Sequence, residues 1–465
     1  MEEASIRHTP WAFLTAARVA RNCVITAMLA LAGCATPPPS RVAERADALM
    51  RDLHSRNLFQ GAVVIDRGGR VEYAAGFGFA DIERRVPFTP DTPTDGASIA
   101  KTFTAAGLLM LAREGRVDLD APVRDVLPEY PHADTRLRHL LAHSAGLPDY
   151  DWFDARVNAG EVRSNASHLA LVTREALAPA FAPGGAFSYD NVAYDVAAMV
   201  IERRSGMAYA DFVAQRFSRP LGLNAYLRPA RFSDWTGVRS RGYRRTPAGW
   251  KDHDAFDFEG FYGGANIYLS AYDLQRWAAG YKGLVGAATL REAVAPARLD
   301  DGRGTGISLG SWYVSGDAQR RYYTGSHNGF HNFGYADDAR GLSVAWVAND
   351  APPAWLQTAL SRALVAVAEG REPEPLMPPA MPPVATDPAG TYRVAGFGEV
   401  TVRCEGKQLF LRLQAVTYQA FPVGGGVHYV PGIDAYVHFA AMPQGQVSLA
   451  WDSVYAVVPS TLREP

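Results

Sequence analysis

The chain has 465 residues, 48% of them hydrophobic and 20% charged, with a formal net charge of −2. That balance describes a globular protein long enough for two or three domains, and the lack of any basic block argues against nucleic acid as a partner. Three cysteines, Cys23, Cys34 and Cys404, are too few for a disulfide framework and have no zinc-ligand spacing.

Arg18 and Arg21 precede an apolar segment, Cys23 to Ala32, which leads into Leu31-Ala32-Gly33-Cys34. A basic n-region, an h-region of about ten residues and small residues at the cleavage site predict a secretory signal over 1–33, too short to span a bilayer. Leu-Ala-Gly-Cys also resembles a bacterial lipobox. The resemblance implies cleavage before Cys34 and lipidation of its thiol, hence an exported, periplasmic chain held at a membrane. Ala35, rather than aspartate, after Cys34 is similar to outer-membrane sorting signals. Residues 34–44 read as a tether.

Val42, Ala46, Leu49 and Leu53 give residues 41–58 helical periodicity. Gly61 to Ile65 and Arg70 to Gly76 flank Arg67-Gly68-Gly69, which predicts a β-hairpin. An apolar run from Phe103 to Ala112 follows, then turn-rich text with short helices to about residue 220. Strand-like text returns at Gly263 to Ser270 and Trp312 to Asn349, and residues 354–369 form an amphipathic helix. Prolines then cluster from Arg371 to Pro388, a linker signature. Beyond it, Gly390 to Arg393, Glu399 to Arg403, Leu409 to Leu413, Val427 to Val430, Ala435 to Phe439 and Val447 to Trp451 predict short strands. Strands at that spacing suggest a small all-β barrel or sandwich over 389–465.

The chain contains four lysines, Lys101, Lys251, Lys282 and Lys407, and one of them lies three residues after Ser98. On a helix that spacing places both side chains on one face. A serine hydroxyl becomes a strong nucleophile when a neighbouring base takes its proton, and a neutral amine is such a base. Arginine does not deprotonate and could not replace it. The pair alone is a weak signal; the apolar run behind it, which predicts a buried helix, strengthens it.

Ser98-Ile99-Ala100-Lys101, with Phe88-Thr89-Pro90-Asp91-Thr92 before it, resembles the serine β-lactamase and penicillin-binding-protein superfamily. The likeness is to the class C, D-alanyl-D-alanine carboxypeptidase and esterase branch. Leu140-Leu141-Ala142-His143-Ser144-Ala145-Gly146-Leu147-Pro148, Ser188-Tyr189-Asp190-Asn191 and Pro220-Leu221-Gly222-Leu223 match that branch in chain order. The resemblance implies an α/β (α+β) hydrolase domain over 45–370, an antiparallel sheet flanked by helices with a helical insertion. The small C-terminal β-barrel resembles the lipocalin-like appendage of some relatives.

By the same resemblance Ser98 becomes acylated, Lys101 and Tyr189 share the proton transfers, and Asn191 orients the lysine and the substrate. Which of Lys101 and Tyr189 is the base in each half-reaction stays open. The third motif has two registers. His327-Asn328-Gly329 is preferred over Tyr323-Thr324-Gly325; it places His327 at the substrate, lets Gly329 approach it closely and offers the Phe330 N–H to the oxyanion beside that of Ser98. Either register lacks the lysine that gives a substrate carboxylate a fixed positive partner, which shifts weight from penicillin-like substrates to esters and peptides. No metal or organic cofactor is implied. The expected partner is a small ester, amide or peptide, the alternative being a catalytically silent binding or sensor protein.

Two other signals read as structural. Ala142-His143-Ser144-Ala145-Gly146 mimics a nucleophile elbow, but the text before it is helical, so Ser144 is a turn residue. His327 and His331 have a metal spacing only on a helix, and this segment reads as strand and turn.

Overall fold

The computed structural model describes residues 40–464 except 149–163, 228–236, 247–248, 255–259, 317, 328, 351, 377–383, 386, 395–397, 407, 414–415, 425, 431–432, 444–445 and 454–456. The expected signal sequence and Cys34 lie outside the described residues. Val42–Pro465 make up one compact unit.

Helix α1 (Arg41–Ser55) leads into the predicted hairpin of β1 (Gly61–Arg67) and β2 (Arg70–Phe77). Gly68 and Gly69 both have positive φ, 62° and 83°, as a two-residue hairpin with the native twist requires. After the helical region, β3 (Tyr313–Val314), β4 (Arg320–His327), β5 (Phe330–Asp337) and β6 (Leu342–Ala348) complete the sheet. The strand order is β3-β4-β5-β6-β1-β2, antiparallel throughout. β6 pairs with β1 from Gly61↔Ala348 to Arg67↔Leu342.

Every residue of β6 is buried because helices cover both faces of the sheet. On one face, Trp346 Nε1 donates to Ser361 Oγ at 3.1 Å in the C-terminal helix (Ala354–Ala368). On the other, Gln275 Nε2 of the long helix Ala271–Ala293 donates to Ser343 Oγ at 2.9 Å. Alternation along the strand assigns Trp346 and Ser343 to these opposite faces.

The apolar run after Ser98 forms helix α2 (Ala100–Arg113), buried from Ala100 to Leu109. Phe103 stacks on Trp277 with ring centroids 3.7 Å apart, and α2 packs against α3 (Val192–Ser205).

The C-terminal region is an eight-stranded meander: β7 (Gly390–Val394), β8 (Gly398–Glu405), β9 (Gln408–Leu413), β10 (Val416–Gly424), β11 (Val427–Val430), β12 (Ala435–Ala441), β13 (Val447–Ser453) and β14 (Val457–Leu462). A bridge between Tyr392 and Arg463 and a bond from Glu464 N to Thr391 O at 2.7 Å bring the two ends together into a nearly closed barrel. The sequence text marks six of these strands and passes over β10 and β14. The barrel packs on the preceding α+β region through an ion pair between Arg362 and Asp452, a hydrogen bond from Tyr436 to Gln357, and Phe187 against Tyr418 at 5.3 Å.

Candidate active site

Ser98 sits in a single 3-10 turn, Ala97–Ile99, that feeds α2. The turn is held under strain: Ala97 has φ +47°, and its N–H donates to the buried Asp95 carboxylate at 2.8 Å. Lys101 lies one turn further on and is fully buried.

The lysine amine has three neighbours. Nζ donates to Asn191 Oδ1 at 2.6 Å and to the Gly264 carbonyl at 2.8 Å, and lies 3.3 Å from Ser98 Oγ. Tyr189 completes the cluster, its hydroxyl donating to Ser98 Oγ at 3.0 Å. Ser98, Lys101, Tyr189 and Asn191 are therefore brought together. Gly264 joins them although nothing in the sequence singles it out.

Behind Tyr189 the His143 ring stacks at 4.5 Å. Burial holds His143 well below the usual imidazole range, and the neighbouring Lys101 acts in the same direction. A neutral ring thus backs the phenol. Ser144 is fully buried and its Oγ donates to the His139 carbonyl at 3.4 Å, the place of a turn residue.

The third motif is corrected by the geometry. Tyr323 puts its hydroxyl 3.4 Å from that of Tyr189, and a Cβ on Gly325 would meet Gly96 O at 2.2 Å and Ile99 N at 3.1 Å. Tyr323-Thr324-Gly325 is therefore the segment that runs along the Ser98 turn. His327 ends β4, two residues beyond that contact. Gly329 has φ +89° and a Cβ there would meet Tyr243 O at 2.5 Å, so its need for glycine comes from a backbone remote from Ser98. β4 and β5 join across two residues, so His327 and Phe330 are mutually hydrogen-bonded partners and the Phe330 amide is spent in the hairpin. The same alternation turns the N–H groups of Thr324 and Ser326 to the free edge of β4.

Tyr323 is buried and stacks on Tyr313 at 5.4 Å. Burial, then the adjacent Tyr189, pushes its hydroxyl well above the usual phenol range, so it stands neutral. His331 is buried against Trp346 at 5.2 Å, opposite Ser326 in the sheet. Among the described residues no group of three histidines, cysteines, aspartates or glutamates could hold a metal ion.

The sequence model of the Beta-lactamase family matches residues 46–369. The chain belongs to the beta-lactamase family. It is 33% identical over 177 residues to penicillin-binding protein 4* of Bacillus subtilis, 38% of this chain and 39% of that protein. The match thus spans about two fifths of that relative's length. Among solved structures, the penicillin-binding protein homologue from Pyrococcus abyssi superposes with a TM-score of 0.60 at 21% identity, covering 90% of this chain and 99% of that one. The D-amino acid amidase from Ochrobactrum anthropi gives 0.54 at 21% identity, covering 67% and 91%. For a beta-lactamase family member, the contact of Gly325 with the Ser98 turn has a measurable consequence. Gly325→Ala forces the β4 edge away from that turn and is expected to lower kcat/KM for an ester at least about 100-fold, with folding retained by circular dichroism. An unchanged rate would remove this edge from the site.

Proposed function

We propose that the chain is a serine hydrolase that cleaves esters or amides through an acyl-enzyme at Ser98. The observation that carries this reading is the joint approach of Lys101 Nζ and the Tyr189 hydroxyl to Ser98 Oγ, at 3.3 and 3.0 Å. Lys101 takes the Ser98 proton as Oγ bonds to the substrate carbonyl carbon. The resulting oxyanion lies between the Ser98 and Ser326 N–H groups. Tyr189 passes a proton to the leaving group as its bond to that carbon breaks, leaving acylated Ser98. Water then repeats the sequence: its proton goes to the same pair, its oxygen bonds to the acyl carbon, and the acid leaves as Ser98 recovers its proton. The name of one neighbour, an amidase, agrees with amide chemistry on this fold.

The chain acts, on this reading, outside the cytoplasm, held at the outer membrane through lipidated Cys34. Metabolic labelling with palmitate is expected to mark the exported protein and to fail in Cys34→Ser; equal labelling of both would remove the anchor.

The catalytic reading is tested by exposure to a fluorophosphonate followed by intact mass and peptide mapping. One adduct on Ser98, absent from Ser98→Ala, is expected. An adduct on Ser144, or none together with no ester turnover, would overturn it.

A further inference from the structure

His143 carries more contacts than the end of a turn needs. The short helix Leu137–Leu141 is capped by Ala142, and His143 leaves it with φ +52°. A left-handed residue just after a helix is most often glycine, because a Cβ is strained there. The chain holds a fully buried histidine instead. Rings enclose it: Tyr194 at 4.9 Å, Phe187 edge-on at 5.8 Å, and Tyr189 stacked at 4.5 Å with 21° between the planes.

Three contacts of His143 converge on Tyr189 and its two chain neighbours. The His143 carbonyl accepts from Ser188 N at 2.9 Å, just before the tyrosine. Ring Nδ1 lies 3.0 Å from Asp190 N and 3.1 Å from Asp190 O, just after it. A backbone N–H can only donate, so the tautomer that satisfies it leaves Nδ1 bare and puts the ring hydrogen on Nε2. The third contact is the stacking itself. The phenol is thus held through its backbone on both sides and along one face, while its hydroxyl reaches Ser98 Oγ at 3.0 Å. Nε2 is buried and has no hydrogen-bond partner among the described residues. A phenylalanine ring would stack without that cost, but it offers no acceptor in the place of Nδ1. Neither ring nitrogen is placed to move a proton: Nδ1 is taken by a backbone amide and Nε2 is enclosed.

We propose that His143 is a positioning residue that fixes the Tyr189 phenol where its hydroxyl can hand a proton to the leaving group. The inference rests on the acyl-enzyme reading of Ser98. A shift of the phenol by about 1 Å is enough to cost about 100-fold in rate. The loss is selective. A leaving group stable as an anion, such as 4-nitrophenolate, needs little help from an acid, whereas an alkoxide needs a proton as its bond breaks. Removal of His143 therefore slows alkyl esters more than 4-nitrophenyl esters, and a general loosening of the fold would slow both alike.

The test uses two butyrate esters, of 4-nitrophenol and of ethanol, and reads the ratio of their kcat/KM values, with folding followed by circular dichroism. His143→Gly suits the left-handed backbone and removes both the ring and its acceptor. It is expected to raise the ratio in favour of the 4-nitrophenyl ester by at least about tenfold, as Tyr189→Phe does. His143→Asn also tolerates positive φ and returns an acceptor to the Asp190 N–H, so a smaller rise is expected. In a Tyr189→Phe background His143→Gly should move the ratio by less than about twofold, because the hydroxyl it positions is gone. An unchanged ratio in the folded His143 variants, or the whole effect repeated in the Tyr189→Phe background, overturns the proposal while fluorophosphonate labelling of Ser98 stands. So does a wild type that cleaves the 4-nitrophenyl ester alone. Absence of Ser98 labelling together with any ester turnover overturns the acyl-enzyme reading and this inference with it.

Discussion

Ser98→Ala is expected to lower kcat for ester hydrolysis by about 10⁴- to 10⁶-fold, the scale seen when the nucleophile of an acyl-transfer enzyme is removed. The loss should fall on kcat and leave substrate binding nearly intact, because the hydroxyl supplies the bond that forms and little of the ground-state contact. The surrounding structure tolerates the change: Ser98 is half-buried at the head of α2, and alanine fits the turn. Steady-state kinetics with a pre-steady-state burst would read both effects, the burst disappearing with the hydroxyl. Retention of more than about a hundredth of the activity would mean that another group carries the acyl step. Ser144 is the other serine that the sequence offered for that role, and its fully buried hydroxyl makes it a poor candidate.

Lys101 gives the second large effect, and two substitutions separate its two capacities. Lys101→Ala removes a base and a positive charge; Lys101→Arg restores the charge but cannot accept a proton. Both are expected to lose about 10²- to 10⁴-fold in kcat, the range of positioned general acid–base groups. Tyr189→Phe belongs to the same range, since it removes the hydroxyl 3.0 Å from Ser98 Oγ. The arginine variant is decisive. Recovery to within tenfold of wild type would make Lys101 an electrostatic partner and move the base to Tyr189. The Lys101 pocket is tight, with acceptors at 2.6 and 2.8 Å, so a melting curve should accompany each variant.

The sequence carried most of this architecture, for reasons that differ from element to element. The β1–β2 hairpin was legible because Gly68-Gly69 demands one turn geometry. Ser98 and Lys101 were legible because they share one helix, where spacing is geometry. β10 and β14 were missed: β10 carries Pro422 and Gly424, which read as turn, and β14 carries Pro459. The register of the third motif was misjudged because both readings end in glycine. Only the tertiary contact shows that Gly325 faces Gly96 and Gly329 faces Tyr243. Gly264 left no signal at all, since a backbone carbonyl has no residue type.

The pairing of β1 with β6 has a bearing on how the molecule comes into being. Gly61 pairs with Phe77 on one side, but its partner on the other is Ala348, so the central sheet cannot be completed while the chain is shorter than that. Until then the apolar hairpin holds a naked edge next to a strand whose every residue is destined for the interior. Pairings of such long sequence separation are slow to form and leave unfinished chains prone to aggregate. A fragment ending before Leu342, even one that contains Ser98, Lys101 and Tyr189 intact, lacks the strand that holds its two halves together.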